Sequence, residues 1–290
     1  MTTNLKSNKD IPSVSIVIPA YNAEKYIRES IDSILNQSFT DFECIIVDDG
    51  STDATPDIID SYTDERIILL KNDHDFIRAL NTGLQTARGK YIARMDADDI
   101  MHSDRIKIQY AIMEAEPMIT VCSTWMYRIG EDIPTESILS SSSGLVEMPL
   151  LAFLRGNYLF HPTVMMRKEF LMNHCLQYED YPYAEDLKLW TEIAKCGGQF
   201  YIENQFLLYY RISDLQVTQQ KRCEMEQTVE KIQNEVLDYL IAQNKPDCPI
   251  LETALVELRK MQQQEMISSS SVFELYQNIF FKNKSRLIMA

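Results

Sequence analysis

Three short apolar runs in the first third of the chain each end abruptly in polar or turn-forming residues. Val14-Ser15-Ile16-Val17-Ile18 leads into Pro19-Ala20-Tyr21-Asn22, and Phe42-Glu43-Cys44-Ile45-Ile46-Val47 leads into Asp48-Asp49-Gly50-Ser51-Thr52-Asp53. Tyr91-Ile92-Ala93-Arg94-Met95 leads into Asp96-Ala97-Asp98-Asp99. Runs of this length, rich in β-branched and aromatic residues, read as buried strands. Between them, Ile27, Ile31, Ile34 and Leu35, and then Ile77, Leu80 and Leu84, recur at spacings of three and four, which places each set on one helix face. Alternating strands and helices predict a parallel sheet with right-handed crossovers. All three loops then emerge on one edge, where open α/β sheets bind ligands. Asn22 reads as a helix N-cap, Asp53 with Pro56 opens a further helix, and Gly50 suits a tight turn.

The pattern changes after about Asp214. Met225, Val229, Ile232, Val236 and Tyr239 form a narrow stripe on a charged helix, and Leu251, Leu255 and Leu258 form another. Ser271-Val272-Phe273-Glu274 resembles a capping box that opens a third helix, with Leu275, Tyr276, Ile279 and Phe280 as its apolar face. A helical appendage that covers the sheet domain is the first expectation. Docking of a partner, of a second copy in a homodimer, or of a lipid surface is the alternative. The mixture of apolar and basic residues from Ile279 to Ile288 lends membrane or partner contact slight weight. The stretch from Ser137 to Leu154, with Ser140-Ser141-Ser142-Ser143-Gly144, reads as a loop.

Composition narrows the classes. A chain of 290 residues with 45% hydrophobic content supports one large or two closely packed units with an ample core. Its formal net charge of −15 disfavours nucleic acid as a partner and leaves any anionic ligand to local cations. The first ten residues are polar, with no signal-peptide run, and no apolar stretch approaches the roughly 20 residues of a membrane span. Six cysteines, at 44, 122, 175, 196, 223 and 248, form no Cys-x-x-Cys pair and read as reduced core thiols, which suits a cytoplasmic protein. His74, His102 and His174 lack metal-ligand spacing, and His161 precedes Pro162 at the start of a strand pattern.

Asp96, Asp98 and Asp99 place three carboxylates within four positions, and such groups repel unless something positive is shared among them. Hard oxygen ligands favour Mg²⁺ or Mn²⁺, commonly held by one or two carboxylates together with substrate phosphates. The alternative is a solvated acidic loop with Asp98 or Asp99 as N-cap to the helix at Asp104-Arg105-Ile106. The second acidic cluster, from Asp48 to Asp53 on the same sheet edge, favours a site.

Taken together these strings resemble a known family. Ser15 to Asn22, Val47-Asp48-Asp49-Gly50-Ser51-Thr52-Asp53, Asn81-Thr82-Gly83-Leu84 with Ala87-Arg88-Gly89-Lys90-Tyr91-Ile92, and Asp96-Ala97-Asp98-Asp99 match, in order and spacing, the family-2 inverting glycosyltransferases of the GT-A fold. His161-Pro162-Thr163-Val164-Met165-Met166-Arg167, Glu185-Asp186 with Leu189-Trp190, and Tyr209-Tyr210-Arg211 resemble that family's acceptor half. The resemblance runs from about Pro12 to about Thr218. It implies an α/β, GT-A-like nucleotide-binding mixed sheet flanked by helices. Residues 1–10 would be a flexible tail, 11–110 the nucleotide-sugar-binding half, 111–217 the acceptor-binding half of the same domain, and 218–290 the helical appendage.

The same resemblance implies a metal-dependent, inverting transfer from a nucleotide-diphospho-sugar, by preference a UDP-sugar, to a hydroxyl of a saccharide or lipid-linked saccharide. Polysaccharide or glycoconjugate synthesis is the setting it suggests, in the cytoplasm or at the inner face of the membrane. Asp49 would accept from the base, Pro19 and Tyr21 would wall it, and Asp96 or Asp98 would touch the ribose. Arg78 would lie near the phosphates. Asp98 and Asp99 would hold Mn²⁺ or Mg²⁺, Asp99 foremost, and Asp186 would be the general base that a weakly nucleophilic hydroxyl requires. Two departures stand out. Ile212-Ser213-Asp214 replaces a histidine that many members carry after the Tyr-Arg pair, and Asn72-Asp73-His74-Asp75-Phe76-Ile77 lacks their usual glycine. A nucleotidyltransferase on a similar sheet, and a degenerate module that binds nucleotide-sugar or protein without catalysis, are the rival readings.

Overall fold

The computed structural model describes residues 11–130, 133–140, 143–212, 221–244 and 249–282. The N-terminal half follows the alternation of the apolar runs: β1 (Val14–Ala20), α1 (Ile27–Leu35), β2 (Phe42–Asp48), α2 (Thr55–Asp60), β3 (Ile67–Lys71), α3 (Phe76–Thr86) and β4 (Tyr91–Arg94). Next come β5 (Ile100–Met101), α4 (Arg105–Ala115), β6 (Ile119–Gly130), β7 (Ile133–Ile138), β8 (Gly144–Leu145) and α5 (Pro149–Phe153). A 3-10 turn at His161–Thr163 leads to β9 (Met165–Arg167), α6 (Lys168–Asn173), α7 (Glu185–Lys195) and β10 (Gln199–Arg211). Three helices close the described chain: α8 (Arg222–Asn244), α9 (Pro249–Gln263) and α10 (Ser269–Lys282).

Among the described residues the strands form one sheet in the order β3-β2-β1-β4-β9-β6-β10-β5, with β7 beside β6 and β8 beside β10. The four strands β3, β2, β1 and β4 are parallel, and β9 inserts antiparallel between β4 and β6. The sheet is therefore mixed and continuous across both halves. Residue alternation divides it into two cores. Val17, Ile45 and Ile92 face α3, α7 and the C-terminal helices, whereas Ile16, Ile18 and Ile46 face α1 and α4. Two glycines serve this geometry. A Cβ on Gly83 would stand 2.2 Å from Val17 Cγ1, so α3 lies close on β1 only because that carbon is missing. Gly50 turns the chain after β2 at φ +77°, as a tight turn requires.

Several local expectations are corrected. Asn22 is not an N-cap: at φ +47° it accepts the Thr52 N–H at 2.8 Å and ties two loops together, and α1 starts only at Ile27. Neither Asp98 nor Asp99 caps α4, whose N-cap is Asp104. The stretch from Ser137 to Leu154 is not a plain loop, since it contributes to β7 and forms β8 and α5, whose Leu150 and Phe153 are buried; Ser141 and Ser142 lie outside the described residues. Cys44 and Cys122 are core thiols, but Cys175, Cys196 and Cys223 are exposed; Cys248 lies outside the described residues.

The appendage covers this chain's own core. Ile232, Val236, Leu237 and Leu240 of α8 and Val272 and Tyr276 of α10 are buried in the cluster that holds α7. Helix α10 begins before the expected capping box, and the Ser271 N–H is taken by Ser268 Oγ at 3.2 Å. No helix among the described residues is long and apolar enough to cross a membrane. The expected tail at 1–10 and the basic segment beyond Lys282 lie outside the described residues.

Candidate active site

Parallel pairing brings the ends of β1, β2 and β4 to one edge, and with them three groups of functional side chains. At the end of β2, Asp49 is 4% exposed and immobilised: its Oδ1 accepts from Asn72 Nδ2 at 2.6 Å and from the Asp75 N–H at 2.7 Å. His74 Nδ1 stands 4.0 Å from its other oxygen. The His74 ring also packs against Tyr21, with centroids 4.3 Å apart. Tyr21 is 46% exposed, so it is not core packing. Pro19 is buried inside β1, opposite Val47. Arg78 is exposed in the first turn of α3, which Asp75 caps by accepting its N–H at 2.9 Å.

Beyond β4 lie the three clustered acids, and here burial decides the chemistry. Asp98 is half-buried, and burial together with Asp96 pushes its carboxyl up to about 6. Asp99 has no exposure; its Oδ1 accepts the Arg211 N–H at 2.8 Å, and its Oδ2 is buried without a hydrogen-bond partner. Burial, with Asp96 and Asp98 as neighbours, raises the Asp99 carboxyl well above the usual range. Arg211 also donates from Nε to the Asp98 carbonyl at 2.8 Å, and its guanidinium pairs with Glu29 and lies over the Tyr26 ring. The Tyr-Arg motif at the end of β10 thus braces the acidic loop from behind.

Two buried arginines supply the countercharge. Arg94, 3% exposed, pairs through Nη2 with Asp96 Oδ1 at 2.6 Å. Arg105, fully buried, donates from Nη2 to the Arg94 carbonyl at 2.8 Å and from Nε to Gln109 at 3.0 Å. Burial lowers the Arg105 guanidinium to about 9, against the opposing pull of Asp99, a measure of what a buried cation costs here.

Arg94 also faces the third group. Its charge favours the ionised forms of Glu185 and Asp186, in the first turn of α7, and of Tyr178 just before that helix. Burial first, and then Asp186, push the Glu185 carboxyl up to about 7. Asp186 is also raised by burial, against the opposing pull of the Leu187 N–H, Asn157 and Arg94. His161 bonds the Tyr178 hydroxyl through Nε2 at 2.8 Å and stands edge-on to Trp190, so it is a structural contact. The two carboxylate groups, distant in sequence, therefore share one buried guanidinium.

A divalent cation fits the acidic loop. The orphaned Asp99 Oδ2 and the raised Asp98 and Asp99 carboxyls mark oxygens that favour a positive neighbour, and all donors are hard. Among the described residues no group of three or more His, Cys, Asp or Glu forms a ready-made cage. Such a donor set matches an ion completed by substrate phosphates. Of the pair, Asp99 has one oxygen held by the Arg211 N–H and the other unpaired, and Asp98 is the partly exposed one.

Sequence reasoning missed Arg94, Arg105, Asn72 and Asn157 as parts of the site. Arg94 was within the motif but read as part of a strand. Only its polar character at the end of an apolar run was available as a signal.

Comparison with known proteins agrees with this architecture. The family model described as "Glycosyl transferase family 2" matches residues 15–174. An uncharacterized glycosyltransferase of Haemophilus influenzae is 32% identical over 295 residues, covering 93% of this chain and 88% of that one. The Escherichia coli enzyme WfaP, named UDP-Glc:alpha-D-GlcNAc-diphosphoundecaprenol beta-1,3-glucosyltransferase, is 34% identical over 201 residues, 69% of this chain and 77% of its own. Among solved structures, Staphylococcus aureus TarS 1-349 in complex with UDP-GlcNAc superposes with a TM-score of 0.64 at 19% identity, over 79% of this chain and 66% of that one. This chain spans 40% of a longer TarS chain. The shared mixed sheet, its flanking helices and the C-terminal helices establish a GT-A fold. The chain belongs to glycosyl transferase family 2.

Proposed function

We propose that this glycosyltransferase moves a sugar from a UDP-sugar to a hydroxyl of a saccharide or lipid-linked saccharide, with inversion at the anomeric carbon. The observation that supports this reading most strongly is that Asp96, which pairs with the buried Arg94, and the Glu185-Asp186 pair of α7 all lie within the field of that one guanidinium. The WfaP name supports both a UDP-sugar donor and a lipid-linked acceptor, and the TarS complex supports a UDP-sugar.

In this reading Asp49 and Tyr21 receive the base, and Pro19 shapes the floor of that pocket. Asp96 and Asp98 line the ribose and diphosphate side, with Arg78 at the exposed rim. Asp98, through its partly exposed carboxylate, and Asp99, through its unpaired Oδ2, would hold Mn²⁺ or Mg²⁺ together with the diphosphate. When bound, the cation neutralises the charge that develops on the leaving diphosphate. Asp186 accepts the proton of the attacking hydroxyl, the new C–O bond forms at the anomeric carbon, and the bond to the diphosphate breaks with its electron pair. One displacement with one base inverts the centre. Proton NMR of the first-formed product tests this: inverted anomeric configuration supports the reading, and retention overturns it.

A further inference from the structure

Asp186 is held from outside its own helix. Asn157, in the segment after α5, donates from Nδ2 to Asp186 Oδ2 at 2.6 Å, while the Leu187 N–H meets Oδ1 at 2.6 Å. The amide oxygen of Asn157 accepts the Leu159 N–H at 3.1 Å, so the amide end facing the carboxylate is its donor end. On either side of Asn157, Phe153 and Tyr158 stack with centroids 4.5 Å apart.

The appendage fastens this segment. Gln233 of α8 donates to the Leu154 carbonyl at 2.8 Å, and Gln277 of α10 donates to the Leu151 carbonyl at 2.9 Å. Gln277 also accepts from Arg155 Nε at 2.7 Å. A second connection reaches α7 directly: Glu235 of α8 accepts from Lys188 Nζ at 2.9 Å and from the Tyr181 hydroxyl at 2.7 Å.

We propose that Asn157 is a positioning residue for Asp186, aiming its carboxylate at the acceptor hydroxyl, and that the C-terminal helices keep Asn157 in place. The proposal rests on the reading of Asp186 as the base. A hydrogen bond to a carboxylate orients it and favours its ionised form. The other groups that face Asp186 are Arg94 from β4, Tyr178 from the preceding loop and Glu185 from its own helix. Of these Arg94 alone favours ionisation, so loss of the Asn157 donor lets the Asp186 carboxyl rise.

The test uses the full chain with Asn157→Ala, Asn157→Asp and Asp186→Asn, and follows UDP release from UDP-glucose and UDP-GlcNAc across pH. Asn157→Asp keeps the side-chain shape where Asn157→Ala could disturb folding, and thermal melts check both. The expected result for Asn157→Ala is a kcat lower by about tenfold or more, the worth of a hydrogen bond to a charged group. UDP affinity stays at the wild-type value, and the acidic limb of the kcat profile moves to higher pH. Asn157→Asp moves that limb further, because a second carboxylate faces the first. Wild-type kcat and limb in both Asn157 variants, with Asp186→Asn inactive, overturn the positioning role alone. A loss confined to UDP affinity also overturns it. An active Asp186→Asn overturns the base reading and the proposal with it.

Discussion

Asn81 grips the backbone of Tyr178 from both sides: its Nδ2 donates to the Tyr178 carbonyl at 2.9 Å and its Oδ1 accepts the Tyr178 N–H at 2.9 Å. The pair joins α3, on the nucleotide side, to the loop that delivers α7. Tyr178 in turn holds His161, which stands against Trp190 of α7. Asn81 therefore serves the site by fixing the distance between its two halves.

Asn81→Ala leaves two backbone groups of a buried residue without partners, and each such loss costs about 1–3 kcal/mol. Urea unfolding should show a lower midpoint with an unchanged slope, and turnover should fall with it. A midpoint equal to wild type would mean that water replaces the amide without penalty.

How much of this was legible beforehand depended on how local the signal was. β1, β2 and β4 were plain because their runs are apolar on both faces, and each is fully buried. β3 went unread because Ile67-Ile68-Leu69-Leu70 is a short, half-exposed edge strand, although Asn72-Asp73-His74-Asp75 marks its end much as the acidic loops mark the others. Asp49 and Asp186 were named through motif resemblance, and Asp98 first through the spacing of its neighbouring carboxylates. Arg94 and Arg105 were not, because a buried arginine announces itself only once its carboxylate partners are placed. Asn22 misled because an asparagine before an apolar helix looks like a cap, whereas its partner is 30 residues away in the other loop.

Asp98 and Asp99 should separate in calorimetric titration of UDP with and without Mn²⁺. Asp98→Asn removes the accessible charged oxygen and should abolish the metal-linked part of UDP affinity. Asp99→Asn should weaken it less, because one of its two oxygens is already engaged by the Arg211 N–H. Equal loss in both variants would restore Asp99 as a full ligand.

Stability should depend on pH in an unusual direction. Asp98 and Glu185 are raised from 3.8 to about 6 and from 4.5 to about 7, so between these limits the folded protein holds protons that the unfolded chain has released. Stability then falls as pH rises. The ligand-free protein should melt at a lower temperature at pH 7 than at pH 5, and Asp99→Asn should flatten that slope by removing a third raised carboxyl. A melting temperature that rises over this window would contradict the burial argument.

Asp186→Asn removes the proton acceptor while leaving the nucleotide pocket untouched. Turnover should drop by about 10² or more, the scale of general-base catalysis, with UDP affinity retained. A variant that loses affinity and keeps turnover would move Asp186 out of this role.

Helix α10 should be needed for stability, since Val272 and Tyr276 are buried and Gln277 holds the α5 segment. Deleting residues 269–290 should lower the melting temperature and leave the solution mass per particle that of the same oligomer. A dimer that becomes a monomer in light scattering would instead assign the helix to an interface.

In the proposed reaction the acids around Arg94 bind a metal-bridged UDP-sugar and Asp186 drives its transfer. Free UDP released from a panel of nucleotide-sugars, with and without Mn²⁺, by wild type, Asp98→Asn and Asp186→Asn, tests it most directly. The expected result is Mn²⁺-dependent release from a UDP-sugar by wild type and near-background release by both variants. Release that is indifferent to Mn²⁺ and to both substitutions would contradict it.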